Sequence, residues 1–194
     1  MKKTSSMSRA ELVCALLATP QSPVVSDATT AYVAACDTLA SPTCNAFVSR
    51  KLSIARELLL RNLTAKMQSK PVMSSSNAVR DWLTLHCAEI EHEVFLLLHL
   101  DARNRLIDAE EIFRGTLMHT SVYPREVVKS ALAHNAAAVM LAHNHPSGGT
   151  EPSAADRQLT TQLTSALSLM DVRIVDHFIV AGDSIFSFAE KGLL

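Results

Sequence analysis

The spacing of apolar residues changes near residue 76, and this change divides the chain into two regions. In the first region apolar residues recur every three or four positions, which predicts helices over residues 8–19, 27–40 and 42–64. In the third helix we assign one buried stripe to Phe47, Leu52, Ala55, Leu58 and Leu59. The polar segment 66–75, which contains Pro and Ser, is typical of a linker. We therefore predict a helical N-terminal region, residues 1–70, and a separate domain, residues 76–194.

The second region alternates helical patterns with apolar runs of strand length. The patterns predict helices over residues 76–90, 124–134 and 153–170 and strands over residues 94–100, 106–113, 137–142, 172–181 and 185–188. The turn at residues 101–104 joins the first two strands as a hairpin. Because strands alternate with helices along this region, we predict an α/β fold in which helices pack on a sheet.

Composition and charge narrow the class of protein. Of the 194 residues 48% are hydrophobic and 19% charged, which is enough apolar material to exclude a disordered chain. The formal net charge is −1, but residues 1–75 carry nine Lys or Arg against four Asp or Glu, a net charge of +5. Residues 76–194 carry nine Lys or Arg against fifteen Asp or Glu, a net charge of −6. The basic first region leaves contact with nucleic-acid phosphates open.

We expect a cytoplasmic protein that does not act in a membrane. No apolar run approaches the roughly 20 residues of a membrane-spanning helix, and Arg9 and Glu11 interrupt the stretch that would otherwise resemble a signal peptide. The four cysteines form no Cys-x-x-Cys pair, so we expect buried, reduced thiols at Cys14, Cys36, Cys44 and Cys87.

The segment 142–156, with the sequence AHNHPSGGTEPSAAD, contains the residues that indicate chemistry. His143 and His145 end a buried strand, where alternate side chains project to the same face, so both imidazoles can reach one point. Asp156 lies in the first turn of the next helix, which Ser153 caps, and its carboxylate can reach the strand end. Two imidazoles and one carboxylate, with a fourth position open, are the ligand set of a catalytic Zn²⁺ ion.

Hydrolysis at such a site needs a general base and an oxyanion donor. The domain offers Glu93 as the base, at the mouth of the strand 94–100. The Ser153 hydroxyl, near the proposed metal, can donate to the oxyanion. Glu89 and Glu91 lie close to Glu93 in the sequence, so the register of this segment decides which of the three is the base.

The order of these residues resembles the JAMM metalloprotease signature: His-x-His-Pro, with seven residues between the second His and a Ser, and two more before an Asp. Together with HEVFLLLHLDARNRLI upstream and VDHFIVAGDSIFSFAEKG downstream, residues 76–194 resemble the bacterial RadC family. The resemblance implies a three-layer α-β-α domain with a mixed sheet, of JAMM or cytidine deaminase-like architecture, preceded by a small helical segment. It also implies His143, His145 and Asp156 as zinc ligands, Glu93 as the base and Ser153 as the oxyanion donor.

The resemblance also implies a function. In eukaryotic relatives this chemistry cleaves the isopeptide bond to ubiquitin, so we expect a zinc-dependent metallopeptidase with a protein or peptide substrate. The alternative is a non-catalytic module of the RadC family that associates with DNA or binds a protein. A zinc deaminase is excluded because the sequence contains neither His-x-Glu nor Pro-Cys-x-x-Cys.

The glycines, all five of which lie at or after Gly115, limit what the first region can do. RadC-like chains usually begin with a helix-hairpin-helix, a DNA-backbone binder whose tight turn depends on glycine. Residues 1–70 contain none, so we expect that motif to be degenerate or lost. The same lack excludes a P-loop or a Rossmann turn within the first 114 residues.

Three further residues are candidates for supporting roles around the metal site. His177 can support the zinc ligands from behind or can be a histidine packed between strands. Asn144 and Ser147 can orient the loop that follows the strand. The remaining histidines have no spacing that pairs them with a ligand, and we expect structural or surface roles for them.

Overall fold

The structure, a computed structural model, describes residues 3–18, 42–88, 90–115 and 122–194. The predicted helix over residues 27–40 lies outside the described residues. The chain divides into two compact units, Met1–Asn62 and Leu63–Leu194. No helix in the described part of the chain is both long enough and apolar enough to span a membrane.

The first unit contains helix α1, Arg9–Leu17, and most of helix α2, Pro42–Ser69. Ser8 begins α1 with a capping box, in which its hydroxyl accepts from the Glu11 amide and the Glu11 carboxylate accepts from the Ser8 amide. Among the described residues of this unit a small core forms from Met7, Leu12 and Ile54, with Leu58 packed against it.

The stripe predicted for α2 is wrong at two positions. Leu52 is 66% exposed and Leu59 is 54% exposed, whereas Ile54, which the stripe omitted, is fully buried. The reason is angular, because residues two apart on a helix point about 200° away from each other. Leu58, four residues after Ile54, lies on the same side as Ile54 and belongs to the observed face. The side chain of Phe47 lies outside the described residues.

Helix α2 also continues beyond its predicted end, through part of the segment predicted as a linker. It ends at Ser69, and a short 3-10 turn, Val72–Ser75, follows. The extra turns are held by burial of Met67 and by a hydrogen bond of 3.1 Å from the Trp82 indole to the Thr64 hydroxyl.

The second unit contains the predicted succession of helices and strands. The elements after α2 are α3 (Ser76–Cys87), β1 (Val94–Leu100), β2 (Leu106–Arg114), α4 (Pro124–Ala133), β3 (Ala138–Asn144), α5 (Ala154–Ser168), β4 (Arg173–Ala181) and β5 (Ser184–Ser187). Helix α3 ends three residues earlier than predicted, and β3 runs two residues further. The extension of β3 matters because it carries His143 inside the strand.

The strands form one mixed sheet in the order β2-β1-β3-β4-β5. All neighbours are antiparallel except β3 and β4, which are parallel. On one face Phe95, Leu97, Val139 and Leu141 pack against α4 and α5, and α3 contacts β4 and β5. All residues of β1 and β3 are buried, as expected for central strands covered on both sides. The predicted α/β fold with helices flanking a sheet is confirmed.

The cysteine prediction is confirmed only in part. Cys87 is a buried free thiol, whereas Cys14 is a free thiol exposed on α1, where Leu12 rather than Cys14 faces the core. Cys36 and the side chain of Cys44 lie outside the described residues.

Candidate metal centre

The end of β3 brings two imidazoles together. His143 is the penultimate residue of the strand, and His145 continues its ladder, because the His145 amide donates to the Val180 carbonyl at 2.8 Å. Residues two apart on a strand share a face, and the two Nε2 atoms lie 3.0 Å apart. The rings are tilted by 59°, so lone pairs that lie in the ring planes can converge on one point.

Asp156 reaches the same point from the first turn of α5. The turn is fixed by a capping box, in which the Ser153 hydroxyl accepts from the Asp156 amide and the Asp156 carboxylate accepts from the Ser153 amide. Asp156 Oδ1 lies 3.3 Å from His143 Nε2, and Oδ2 lies 3.8 Å from His145 Nε2. One ligand atom from each of the three residues thus lies within 4.8 Å of the other two.

The environment keeps the carboxylate ionised. Burial alone would raise the pKa of Asp156, but hydrogen bonds from His143 and Ser153, together with the charge of His143, outweigh it and hold that pKa well below its ordinary value. An ionised carboxylate is the form that coordinates a metal.

Both imidazoles are held by their Nδ1 atoms. His143 Nδ1 lies 2.9 Å from His177 Nε2, and His145 Nδ1 lies 2.7 Å from the Gly149 carbonyl oxygen. A carbonyl can only accept, so His145 carries its proton on Nδ1. The Gly149 carbonyl is brought there by a turn in which the Gly148 amide donates to the His145 carbonyl, and Gly148 adopts a φ of +93° that favours glycine.

Behind His143 a chain of hydrogen bonds leads back to α5. His177 is fully buried, and burial, with the neighbouring His143, lowers its pKa well below the ordinary value, so the ring is neutral. The Thr160 hydroxyl lies 2.6 Å from the Asp156 carbonyl, to which it donates, and 2.8 Å from His177 Nδ1. Because the Thr160 hydroxyl gives its one proton to the Asp156 carbonyl, it accepts a hydrogen bond from His177 Nδ1–H. The neutral His177 ring then has no proton on Nε2, so that nitrogen accepts from His143 Nδ1–H. In the neutral form of each ligand imidazole the proton therefore stays on Nδ1, and Nε2 is the nitrogen that can bind a metal ion.

These observations fit a tetrahedral Zn²⁺ ion. With bonds of 2.0–2.1 Å, two ligand nitrogens lie about 3.3–3.4 Å apart, close to the observed 3.0 Å between His143 and His145. His143 is 9% exposed at its side chain, while His145 and Asp156 are each 16% exposed. The donor set is therefore largely enclosed and still reachable by solvent on one side.

A second group of candidate ligands among the described residues fits an ion poorly. His99, Glu110 and His134 also bring one ligand atom each within 4.8 Å of the others. The His99 and His134 rings, however, stack 3.9 Å apart and are only 10° from parallel. Parallel in-plane lone pairs cannot both point at one ion, so this group is not a ligand set in the observed arrangement. Sequence reasoning missed this pairing because the two histidines are far apart in the chain.

Glu93 lies at the entrance of β1, which pairs with β3 so that Phe95 is opposite His143. Phe95 stacks over the His143 ring with centroids 6.1 Å apart. Continuing the alternation of β1 two residues back from Phe95 brings Glu93 to the same face of the sheet. Glu93 is half-buried and Glu91 is exposed, whereas Glu89 lies outside the described residues.

Other predicted site residues take more specific places than the sequence indicated. The Ser153 hydroxyl donates to Asp156 Oδ2 at 2.6 Å, so an oxyanion would have to compete with this carboxylate for the Ser153 proton. Ser147 is exposed in the turn after His145. Asn144 does not orient that turn: its amide bonds to residues 90–94 instead. Thr160, which links His177 to α5, was not predicted, since only the folded structure brings residues 17 apart together.

A cleft of about 640 Å³ adjoins the centre. Its lining comes from the end of α3, the entrance to β1, the end of β3 and the end of β4: Cys87, Ala88, Ile90, Glu91, Asn144, His145, Pro146, Gly148, Val180 and Gly182. Of the three candidate ligands His145 alone lines it.

The fold and this site define an α/β domain with a candidate His/His/Asp metal centre. Residues 73–193 match the RadC-like JAB domain family. The chain is 58% identical over 145 residues to a UPF0758 protein of Dechloromonas aromatica and 57% identical over 143 residues to one of Thiobacillus denitrificans. Each match covers 74% of this chain and 64% of the relative, so the chain spans less than two thirds of those relatives. The chain belongs to the RadC-like JAB domain family.

Proposed function

We propose that this chain is a zinc-dependent hydrolase that cleaves peptide or isopeptide bonds in a protein or peptide substrate. The observation that carries the proposal is the convergence of two imidazole Nε2 atoms and one ionised carboxylate on a partly open point. Three protein ligands and an open position are typical of catalytic rather than structural zinc.

His143, His145 and Asp156 would hold the ion. A Zn²⁺ ion bound there would polarise the scissile carbonyl and make a water molecule acidic enough to react near neutral pH. The remaining steps belong to side chains of this chain.

Glu93 accepts a proton from the attacking water while the water oxygen forms a bond to the carbonyl carbon. Glu93 then delivers that proton to the amide nitrogen as the carbon–nitrogen bond breaks. The products are a carboxylic acid and a free amine, so all atoms and charges balance. The Ser153 hydroxyl steadies the developing oxyanion only if it turns away from Asp156 Oδ2.

Metal analysis tests the site. Protein purified without chelators is expected to contain about one zinc per chain, and His143→Ala and Asp156→Ala should lose it. His134→Ala is the matched control, because it removes an imidazole from the other group of candidate ligands. A wild type without zinc, or loss of zinc in His134→Ala alone, would contradict the proposed site.

Activity is tested by labelling new amino groups in a cell lysate treated with wild type or with Glu93→Gln. Cleavage of a peptide bond releases an α-amino group, and cleavage of an isopeptide bond releases a lysine ε-amino group, so mass spectrometry distinguishes the two. We expect new labels with wild type alone. Zinc without new labels would instead favour a non-catalytic module that binds DNA or protein.

A further inference from the structure

Asn144 lies between the two candidate histidine ligands in the sequence, but its side chain lies on the other face of the sheet. Successive residues of a strand point to opposite faces, so Asn144 projects away from His143 and His145. The residue is 3% exposed. A buried amide of this kind is costly unless its donors and acceptor are all used.

The amide of Asn144 is fully used by the segment that leads into β1. Its Oδ1 accepts from the Val94 amide at 2.7 Å. Its Nδ2 donates to the His92 carbonyl at 2.9 Å and to the Ile90 carbonyl at 3.3 Å. The residues on both sides of Glu93 are thus tied to one side chain.

The backbone of Glu93 itself is also fixed. The Glu93 carbonyl accepts from the Gly115 amide at 2.8 Å, at the end of β2. With the Asn144 bonds to His92 and Val94, three consecutive residues have their backbone held, so the point from which the Glu93 side chain extends is fixed.

No other side chain of this size could replace the amide. Val94 offers a donor, and His92 and Ile90 offer acceptors, so the position needs an acceptor and two donors on one planar group. A carboxylate would keep the bond to Val94 but would set an oxygen against two carbonyl oxygens. A serine or an alanine would leave buried backbone groups without partners.

We propose that Asn144 is a positioning residue that fixes the backbone on both sides of Glu93 and so sets where the Glu93 carboxylate lies. The part of this inference that concerns the base depends on the proposed function. The part that concerns the backbone depends on the hydrogen bonds alone. The end of β3 therefore supplies two of the three candidate ligands on one face and the support for the base on the other.

Amide hydrogen exchange of the full chain without added metal tests the backbone part. In Asn144→Ala the Val94 amide should exchange about tenfold faster, as expected for loss of one buried hydrogen bond, while amides of Leu96 and Leu98 keep their protection. Asn144→Asp, which preserves the volume, is a second variant in case Asn144→Ala does not fold. Asn104→Asp is the control, because it makes the same chemical change at the hairpin turn, where its amide oxygen accepts from Arg173.

Loading with Co²⁺ tests the link to Glu93. The pH at which the visible spectrum of bound Co²⁺ changes reports protonation beside the ion, and we expect Glu93→Gln to shift it. Asn144→Ala should shift it in the same direction while binding as much Co²⁺ as wild type, because all three ligands remain. A merely structural role would leave this pH midpoint unchanged.

Two outcomes overturn the inference: unchanged exchange at Val94 in both Asn144 variants, or a wild-type pH midpoint in Asn144→Ala when Glu93→Gln shifts it. Failure of the proposed function looks different, since the wild type would then bind no Co²⁺, or Glu93→Gln would not shift the midpoint. The exchange rate at Val94 then decides by itself whether Asn144 holds this segment.

Discussion

At the scale of single residues, the centre depends on which nitrogen of each imidazole carries the proton. The Gly149 carbonyl sets this for His145, and the chain through His177 and Thr160 sets it for His143. Support of this kind orients a ligand ring and raises its basicity. Of these supporting groups, His177 is fully buried, and the Thr160 hydroxyl makes both of its hydrogen bonds within the protein.

Removing this support should weaken zinc binding without abolishing it. We expect His177→Ala and Thr160→Val to raise the zinc dissociation constant by roughly 10–100-fold, the usual effect of losing a residue that orients a ligand. Competition with a chromogenic chelator measures the constant. Thr164→Val is the matched control, because the Thr164 hydroxyl donates to the Thr160 carbonyl on the same helix and takes no part in the chain. Equal constants for Thr160→Val and Thr164→Val would argue against the role of the chain.

At the scale of secondary structure, the C-terminal end of α1 is capped by a lysine side chain from α2. The Lys51 ammonium group donates to the carbonyls of Ala15, Leu16 and Ala18, which lie in the last turn of the helix and just after it. These carbonyls have no partner inside the helix, and the C-terminal end of a helix attracts positive charge.

Replacing Lys51 should loosen α1. We expect Lys51→Met to lower the free energy of unfolding of the first unit by about 1 kcal/mol, because the apolar stem is kept and the charged donor is lost. Urea unfolding together with amide exchange along α1 measures the change. Lys70→Met, the same substitution at an exposed residue, should leave both unchanged.

Sequence patterns predicted elements best where burial is uniform. The bounds of β1 are reproduced because all seven of its residues are apolar or buried between two helical layers. The stripe of α2 was mispredicted, since Ile54, Leu52, Leu58 and Leu59 are all apolar and the spacing alone does not say which of them meets α1. The three ligands were predictable because they lie within 14 residues, whereas the bonds of Asn144 to residues 90–94 cross half the domain.

At the scale of the whole molecule, the charge state of Asp156 links the centre to the stability of the fold. The pKa of Asp156 is lowered in the folded chain, by hydrogen bonds from His143 and Ser153 that outweigh burial. A carboxyl group with a lowered folded pKa stabilises the fold fully above its unfolded pKa, which is about 3.9. That stability is lost as the pH falls below that value towards the folded pKa.

Unfolding by urea at several pH values tests this linkage on metal-free protein. Asp156→Asn removes the titrating group while keeping the size of the side chain. We expect wild type to exceed Asp156→Asn in stability at pH 7 and the difference to shrink between about pH 4 and pH 2. If the difference in unfolding free energy between the two proteins stays constant over this range, the neighbouring groups do not stabilise the ionised Asp156 carboxylate in the folded chain.

The alternation of faces at the end of β3 has a consequence for how this domain can change length. One residue inserted or deleted within the strand before His143 would move every later side chain of the strand to the opposite face of the sheet. The imidazoles would then turn towards α3, and the amide of residue 144 would turn towards α4 and α5. Tolerated insertions should therefore concentrate near the exposed Glu151, after the Gly149 carbonyl that holds His145 and before the Ser153 cap of α5, where added residues leave both faces of the strand unchanged.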